Sequence, residues 1–286
     1  MQKMDCQMNT KFELRYGHHP ADVKGYDTEK LRREFIIDKL FTVNKICMTY
    51  SIEDRFVIGG VLPNEPIELD TFDHLKSDYF LQRREIGIIN IGNTGMVEAD
   101  GQEFILNHKD ALYIGRGVKT VIFSSVDTSK PAKFYFNSSM AHKEYETKKV
   151  EFQDAIVVEA GSPENSNARK INKLIVNEIV QTCQLQMGLT ELKPGSIWNT
   201  MPAHNHPRRN EVYFYFEVAS DQSVCHFMGE TAETRHLWLK NEQAVISPVW
   251  SIHSGAGTSN YSFIWGMAGE NLDYSDMEIC KIPDLK

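Results

Sequence analysis

The sequence of 286 residues lacks the features that mark several large classes of protein. Its five cysteines are far apart and form no CxxC pair, which excludes a disulfide framework and a zinc knuckle and predicts reduced thiols. No apolar run approaches the ~20 residues of a membrane span, and the opening stretch MQKMDCQMNTKFELRYG has no apolar signal-peptide core. These absences predict a cytoplasmic protein without a membrane partner. The cysteines are Cys6, Cys47, Cys183, Cys225 and Cys280.

An excess of basic residues is also missing. The formal net charge is −8, so no track for nucleic acid is expected and a polyanion would be repelled. Hydrophobic residues make up 41% of the chain and charged residues 24%, which is typical of a globular protein. A chain of this length can bury a substantial core.

Helical patterns are scarce. The best candidate is DTEKLRREFIIDKLF, residues 27–41, in which Asp27 can cap the helix and Leu31, Phe35 and Leu40 form a roughly helical stripe. Most other segments alternate with a period of two or carry turn residues. The spacing of these short segments favours a mostly β fold, an antiparallel sandwich or barrel, with few helices.

Two stretches show the strand pattern well. IGIINIGNTGMVEADGQEFIL predicts three strands with turns at residues 93–95 and at Asp100–Gly101. AVISPVWSIHSGAGTSNYSFIWGM predicts two strands around a glycine-rich bend.

A candidate metal site lies in HNHPRRNEVYFYF, residues 204–216. Residues two apart on a strand face the same side, so His204 and His206 can aim two imidazoles into one cavity. Glu211 follows a polar bend, and SPVWSIHSG supplies His253. Three imidazoles and a carboxylate suit zinc, iron(II), manganese or nickel. HxHxxxxE followed by PxxxxH in a strand-rich context is the pattern of the cupin barrel. That pattern usually has a glycine two residues after the proline, where this chain has Trp250.

The first half of the chain fits the same template. RREIGIINI resembles RNEVYFYF, which aligns Glu85 with Glu211, and KDALYIGRGVKT resembles EQAVISPVWSIH, which aligns Thr120 with His253. Asp78 and Phe80 then fall where the two paired histidines stand. We therefore expect two tandem cupin-like jelly-roll barrels: residues 1–160 with a degenerate, metal-free site and residues 161–286 with the metal site. The polar run GSPENSNARKINK marks the boundary.

Longer motifs resemble a known enzyme family, the 5-dehydro-4-deoxy-D-glucuronate isomerases, also called 4-deoxy-L-threo-5-hexosulose-uronate ketol-isomerases. The likeness lies in CQLQMGLTELKPGSIWNTMPAHNHPRRNEVYFYF, RHLWLKNEQAVISPVWSIHSGAGT and FIWGMAGEN, and in YFLQRREIGIINIG, HKDALYIGRG and PAKFYFN of the first half. It covers nearly the whole chain.

This resemblance implies a zinc-dependent aldose–ketose isomerase, an enzyme that is usually a homohexamer. Its substrate would be the sugar acid 5-dehydro-4-deoxy-D-glucuronate, its product 3-deoxy-D-glycero-2,5-hexodiulosonate, and its role the breakdown of pectin and related uronides. The family's zinc ligands correspond to His204, His206, Glu211 and His253, with one ion expected per subunit.

The implied reaction needs a group that moves a proton between adjacent carbons. The candidates are Glu233, His236, Tyr213 and His226, and the sequence does not rank them. A Lewis-acid metal would support either an enediolate route or a hydride shift, and the sequence leaves both open.

A sugar acid also needs positive charge in an acidic protein. Arg208 and Arg209 lie between the paired histidines and Glu211, and Arg235 neighbours His236. A guanidinium grips a carboxylate through two parallel hydrogen bonds. These three arginines are therefore the predicted substrate-binding residues.

Two other functions fit the same ligands. An iron(II)- and oxygen-dependent cupin dioxygenase would use the open metal positions equally well, because a fold does not fix a reaction. A metal-stabilised sugar-binding protein without turnover is the second alternative.

Overall fold

The computed structural model describes residues 10–270, 272 and 276–286. Cys6 and most of the opening stretch that was searched for a signal peptide lie outside this part. Cys47, Cys183, Cys225 and Cys280 are free thiols, as predicted. None of the described helices is long and apolar enough to cross a membrane.

Strands dominate the described residues, which confirms the prediction of a mostly β chain. The strands of the first half are β1 (Thr10–Arg15), β2 (Ile36–Ile37), β3 (Ile46–Ser51), β4 (Val57–Val61), β5 (Ile67–Glu68), β6 (Arg84–Asn90), β7 (Gly95–Ala99), β8 (Gln102–Leu106), β9 (Ala111–Ile114), β10 (Val121–Ser125), β11 (Phe134–Met140) and β12 (Lys148–Val150). Those of the second half are β13 (Ile156–Ala160), β14 (Arg169–Ile175), β15 (Gln186–Leu192), β16 (Trp198–Asn205), β17 (Arg209–Phe216), β18 (Val224–Glu230), β19 (Glu233–Leu239), β20 (Gln243–Ser247), β21 (His253–Gly257), β22 (Ser262–Gly269) and β23 (Glu278–Ile279).

Helices are few and short. They are α1 (Pro20–Val23), α2 (Thr28–Phe35) and the 3₁₀ turns Glu53–Arg55, Asp73–Leu75, Phe80–Gln82, Phe152–Asp154 and Ile282–Asp284. The Asp27 carboxylate caps α2 by accepting a hydrogen bond from the Lys30 amide at 2.8 Å, as predicted. The helix ends at Phe35, before the predicted end, because Ile36 and Ile37 form β2 and pair with β20. Isoleucine is branched at Cβ and favours strands over helices.

The chain contacts divide into two compact units. The first contains the described residues through Leu14, Lys39–Ala155 and Ile175–Leu185. The second contains Arg15–Asp38, Ile156–Leu174 and the described residues from Gln186 onward. The units are therefore interleaved in sequence, and the predicted boundary at residues 160 and 161 falls inside a segment of the second unit.

Each unit combines a seven-stranded sheet with a smaller second sheet. The first has a seven-stranded sheet, β1-β3-β4-β11-β6-β9-β12, and a four-stranded sheet, β5-β10-β7-β8. The second has β13-β14-β15-β22-β17-β20-β2 and β19-β18-β21-β16-β23. Within each seven-stranded sheet, β6 and β17 occupy the same place, as the alignment of Glu85 with Glu211 requires. The sheets stay open rather than closing into barrels, and the edge strands β5 and β2 have only two residues each.

The core of the first unit lies between its two sheets. Ile86 and Ile88 of β6 pack in one cluster with Val97 of β7 and Phe123 of β10, and all four are buried. The predicted turn between β7 and β8 is confirmed, because Asp100 and Gly101 both adopt positive φ, 46° and 84°, as a type I′ hairpin turn requires.

Glu85 is fully buried in this unit and is saturated with hydrogen bonds. Both carboxylate oxygens accept from side chains and from consecutive backbone amides of the segment that precedes β15. The donors are the Tyr113 hydroxyl at 2.8 Å, the Ser139 hydroxyl at 3.0 Å and the amides of Cys183, Gln184 and Leu185 at 2.7, 2.7 and 2.9 Å. Glu85, which aligns with the predicted metal ligand Glu211, thus accepts hydrogen bonds from side chains and backbone amides of the chain itself.

The other three template positions of the first unit have structural contacts. Asp78 accepts a hydrogen bond from the Gln82 amide group at 2.9 Å. Phe80 is 2% exposed and belongs to the core, and the Thr120 amide donates to Asp100 at 2.8 Å. That the first unit binds no metal stays a prediction.

Candidate metal centre

The four predicted ligands come from both sheets of the second unit. His204, near the end of β16, is the cross-strand partner of His253, the first residue of β21. Glu211 lies on β17, in the seven-stranded sheet, between Ser247 of β20 and Met267 of β22. His206 follows β16 directly. The structure therefore brings together residues that are up to 49 positions apart in the sequence.

The side-chain ligand atoms converge on one point. The Nε2 atoms of His204 and His253 are 3.0 Å apart. The Oε2 atom of Glu211 is 2.8 Å from the His253 Nε2 and 3.2 Å from the His206 Nε2. All four ligand atoms lie within 4.8 Å of one another. Ligand atoms at ~2.1 Å from a shared ion in tetrahedral geometry lie about 3.4 Å apart, which falls within the range of separations found here, so the four residues could hold one ion after small side-chain adjustments.

Burial sets the protonation of the group. It lowers the pKa of His204 to about 2, with the neighbouring His253 adding to the effect, and it also lowers the pKa of His253. Burial alone would raise the pKa of Glu211. However, the charge of His253 and hydrogen bonds from His206 and His253 hold that pKa well below its usual value. Neutral imidazoles and an ionised carboxylate are the forms that bind a divalent cation.

His206 is also oriented by the backbone. Its Nδ1 lies 3.4 Å from the carbonyl oxygen of Arg209. With a cation bound, an N–H on Nδ1 would donate to that oxygen, and the Nε2 lone pair would face the ion. Metal-binding histidines are usually fixed by such a contact.

Three of the four predicted ligands line a cavity of about 200 Å³ in the second unit. Its wall combines two arginines and three hydroxyl side chains with a larger apolar surface. Besides the ligands His204, His206 and Glu211, the lining residues are Arg169, Ile171, Thr190, Thr200, Met201, Pro202, Arg209, Tyr213, Phe263, Trp265, Met267 and Met277. Such a cavity suits a small, polar, negatively charged molecule.

The four catalytic candidates differ in position. Tyr213 lines the cavity, and its ring lies edge-on to the His253 ring with centroids 5.3 Å apart. His226 is buried outside the cavity lining, with Nδ1 2.8 Å from the Tyr215 hydroxyl. Glu233 and His236 lie on β19, where Glu233 pairs with Arg235 at 2.7 Å and His236 is exposed. Neither is part of the cavity wall.

Of the three predicted substrate-binding arginines, Arg209 lines the cavity. It is 1% exposed, and its guanidinium pairs with Asp276 at 2.7 Å. Arg208 is exposed and pairs with Glu270 at 2.6 Å. Arg235 pairs with Glu233 and donates to the Lys24 carbonyl at 2.7 Å. Arg208 and Arg235 do not line the cavity.

Two cavity residues, Arg169 and Thr200, were not singled out from the sequence. Arg169 begins β14 in a polar run that was interpreted only as a domain boundary. The alternation of Arg169 and Ile171, both of which line the cavity, was the available signal, because residues two apart on a strand share a face. Thr200 carried no signal, since it lies in an irregular part of β16.

Trp250 replaces the expected glycine and has contacts of its own. Its indole Nε1 donates to the His18 carbonyl at 2.9 Å, and its ring lies edge-on to Phe35 at 6.4 Å. Trp250 therefore fixes the turn before His253 against the segment 15–38, which contains both α-helices.

Buried His226 predicts acid sensitivity of the fold. Burial, and then the charge of His253, lowers its pKa to about 3, so the unfolded chain binds a proton more readily than the folded protein. Stability should therefore fall as the pH drops below about 6.5. Between pH 7 and pH 5 we expect wild type to lose about 2 kcal/mol more unfolding free energy than His226→Gln. Urea unfolding at both pH values measures the difference.

A matched control for this measurement is His236→Gln, which removes an exposed histidine from the neighbouring strand β19. It should keep the wild-type pH dependence. A pH dependence of His226→Gln equal to that of wild type would contradict the interpretation.

Comparison with known proteins identifies the family. The KduI/IolB family model matches residues 36–286. A 4-deoxy-L-threo-5-hexosulose-uronate ketol-isomerase of Formosa agariphila is 58% identical over 280 residues, covering 98% of this chain and 100% of that protein. The ketol-isomerase 1 of Bacteroides thetaiotaomicron is 56% identical with the same coverage.

Solved structures show the fold. An IolB-like protein from Salmonella typhimurium superposes with a TM-score of 0.63 at 13% identity, covering 79% of this chain and 86% of that one. The oxalate decarboxylase of Lactobacillus farciminis gives 0.54 at 10% identity, with 78% and 79% covered. The predicted cupin fold is confirmed, with open sheets in place of closed barrels. By its match over most of its length and by its relatives, the chain belongs to the KduI/IolB family.

Proposed function

We propose that this protein is a ketol-isomerase that converts 5-dehydro-4-deoxy-D-glucuronate into 3-deoxy-D-glycero-2,5-hexodiulosonate. The observation that carries the proposal is the convergence of His204, His206, Glu211 and His253, three of which line a small cavity. The names of relatives that match over nearly the whole chain support this choice of substrate.

One zinc ion per chain is the proposed cofactor, held by the four converging side chains. When bound, it would supply Lewis-acid polarisation of the substrate's carbonyl and hydroxyl oxygens. The donor set supports zinc because nitrogen and carboxylate oxygen are its usual ligands. The lowered pKa values of His204, His253 and Glu211 favour the deprotonated forms that bind a cation.

Arg209 and Arg169 bring positive charge to the cavity wall, and we assign them to the substrate's carboxylate. Arg209 is fixed in place by Asp276 and by burial, and Arg169 lies half-buried on β14. A fixed guanidinium loses little freedom when it binds a carboxylate, which favours recognition of a planar anion. Tyr213 is the catalytic candidate that lies at the cavity.

In the cell, this reaction would belong to the cytoplasmic breakdown of pectin and related uronides. We expect the working form to be a homohexamer acting on a small sugar acid. The net charge of −8 supports the expectation that neither nucleic acid nor a membrane is a partner.

The decisive experiment incubates purified, zinc-loaded protein with 5-dehydro-4-deoxy-D-glucuronate in the absence of oxygen. Ketose product should form, should stop forming after the metal is removed with a chelator, and should form again when zinc is returned. Nuclear magnetic resonance of the mixture follows aldehyde loss and ketone formation directly.

The alternatives give different outcomes in the same assay. An iron-dependent dioxygenase would be silent without oxygen and would consume oxygen in air with iron(II). A binding protein would show saturable binding with unchanged substrate. Either result would contradict the proposed isomerase.

A further inference from the structure

An irregular segment of β16 points into the cavity. Asn199 pairs with Gly255 of β21 and His204 pairs with His253, so five residue steps on β16 face two on β21. The extra residues bulge out of the ladder, and Thr200, Met201 and Pro202 line the cavity. Bulges commonly redirect a side chain beside an active site.

Thr200 has an unfavourable backbone conformation within this bulge. Its φ is 48°, in the left-handed region, which a side chain branched at Cβ rarely adopts. Such a conformation persists only when surrounding contacts enforce it, and it occurs preferentially at functional sites. The question is therefore what the Thr200 hydroxyl does there.

The Thr200 hydroxyl meets that of Tyr213. The two oxygens are 2.8 Å apart, and either can be the donor. Tyr213 lies two residues after Glu211 on β17 and hence on the same face. Its 3% exposed ring packs edge-on against His253 at 5.3 Å. Both hydroxyls line the cavity with the four converging ligands close by.

We propose that Thr200 and Tyr213 form a hydroxyl pair that carries a proton between the two reacting oxygens of the substrate. The inference rests on the proposed isomerase function. In that reaction the C2–H and O2–H bonds break, and C1–H and O1–H bonds form. The pair serves the oxygens: one hydroxyl accepts the proton of O2, passes its own to the second hydroxyl, and the second donates to O1.

The relay conserves the protons of both hydroxyls. Each hydroxyl gives one proton and receives one, so the pair returns to its starting composition and neither oxygen has to carry a charge. No electrons leave the substrate, because only the positions of its hydrogens and of one double bond change. The geometry suits the task, since oxygens on adjacent carbons and the two hydroxyls of the pair have similar spacing. Reversal of the donor order serves the reverse reaction.

The test compares Tyr213→Phe and Thr200→Val with wild type in the isomerase assay. Each variant removes one hydroxyl and keeps the size of the side chain. We expect kcat to fall by about a hundredfold in each, because positioned proton transfer contributes roughly 10²–10⁴ in rate. KM should change less than about threefold, with metal content and thermal midpoint near wild type.

Two further variants make the result specific. Thr200→Ser keeps the hydroxyl and should retain most of the wild-type kcat. Tyr261→Phe removes another buried hydroxyl of the second unit, which accepts a hydrogen bond from Asn199 at 2.6 Å and lies outside the cavity lining, and it should leave kcat unchanged. If Thr200→Val lost metal or unfolded, the smaller Thr200→Ala would replace it as the variant without the hydroxyl, beside Tyr213→Phe.

The outcomes separate the two proposals. A metal-loaded wild type without isomerase activity overturns the proposed function. An active wild type together with a Tyr213→Phe variant of near-normal kcat overturns the relay alone. A large loss in Tyr213→Phe with none in metal-loaded Thr200→Val also overturns it, because Tyr213 would then act without its partner.

Discussion

Replacing His253 by alanine is expected to remove the metal and abolish isomerisation. His253 is 1% exposed and lies within 3.0 Å of both the His204 and the Glu211 ligand atoms, and among the described residues no fifth ligand-type side chain joins this group. A bound Lewis acid would lower the barrier by several kcal/mol, and each 1.4 kcal/mol is about a factor of ten in rate. We expect kcat/KM to fall at least about a thousandfold and bound zinc to fall well below one per chain, as measured by elemental analysis.

The matched control for this variant is His226→Gln. It removes another fully buried imidazole of the second unit that is not among the four converging ligands, so it should retain stoichiometric zinc. A His253→Ala protein with the full wild-type metal content would show that the four residues are not the ligand set.

Replacing Glu85 by alanine is expected to have the largest effect on stability. The substitution leaves five hydrogen-bond donors without their acceptor, three of them backbone amides. A buried donor without an acceptor costs about 1–3 kcal/mol. The free energy of unfolding should therefore fall by at least about 3 kcal/mol, measured by urea unfolding of the metal-free protein.

Ser139→Ala provides the comparison for Glu85→Ala. It deletes one of the five donors and leaves the carboxylate with four, so its cost should be about 0.5–1.5 kcal/mol. Similar small losses for both variants would mean that the hydrogen bonds to Glu85 contribute little to the folded state.

Local signals in the sequence predicted the parts of the fold that depend on neighbouring residues. Asp27 caps a helix because its carboxylate reaches the amide three residues later, and Asp100–Gly101 turns because both residues tolerate positive φ. The spacing of His204 and His206 predicted that both imidazoles face one cavity, whereas Glu211, which lies on a strand of the other sheet, was inferred from the cupin-like pattern as a whole.

The features that the sequence did not predict depend on contacts between segments that are distant in the chain. The glycine-rich stretch before residue 258 was predicted as a bend, but it forms β21. A side chain at Gly255 would collide with Asn199 and Tyr215, and only the folded neighbours reveal this. The segment 15–38 likewise belongs to the second unit only through contacts with residues distant in sequence. The backbone conformation of Thr200 depends on the bulge of β16 opposite β21, where its hydroxyl contacts that of Tyr213.

The origin of the four ligands in two different sheets has a thermodynamic consequence. Glu211 belongs to the seven-stranded sheet of the second unit, whereas His204 and His253 belong to the five-stranded one. A cation at this point would bind the folded pair of sheets and not the separated strands. Ion binding and folding of that unit are then linked by mass action. The free energy of unfolding increases by RT ln(1 + [M]/Kd), where [M] is the concentration of the free ion. The concentration of the ion in the surroundings would therefore set the free energy of unfolding of the second unit. The first unit, in which the chain itself supplies the hydrogen bonds of Glu85, would not depend on the ion in this way.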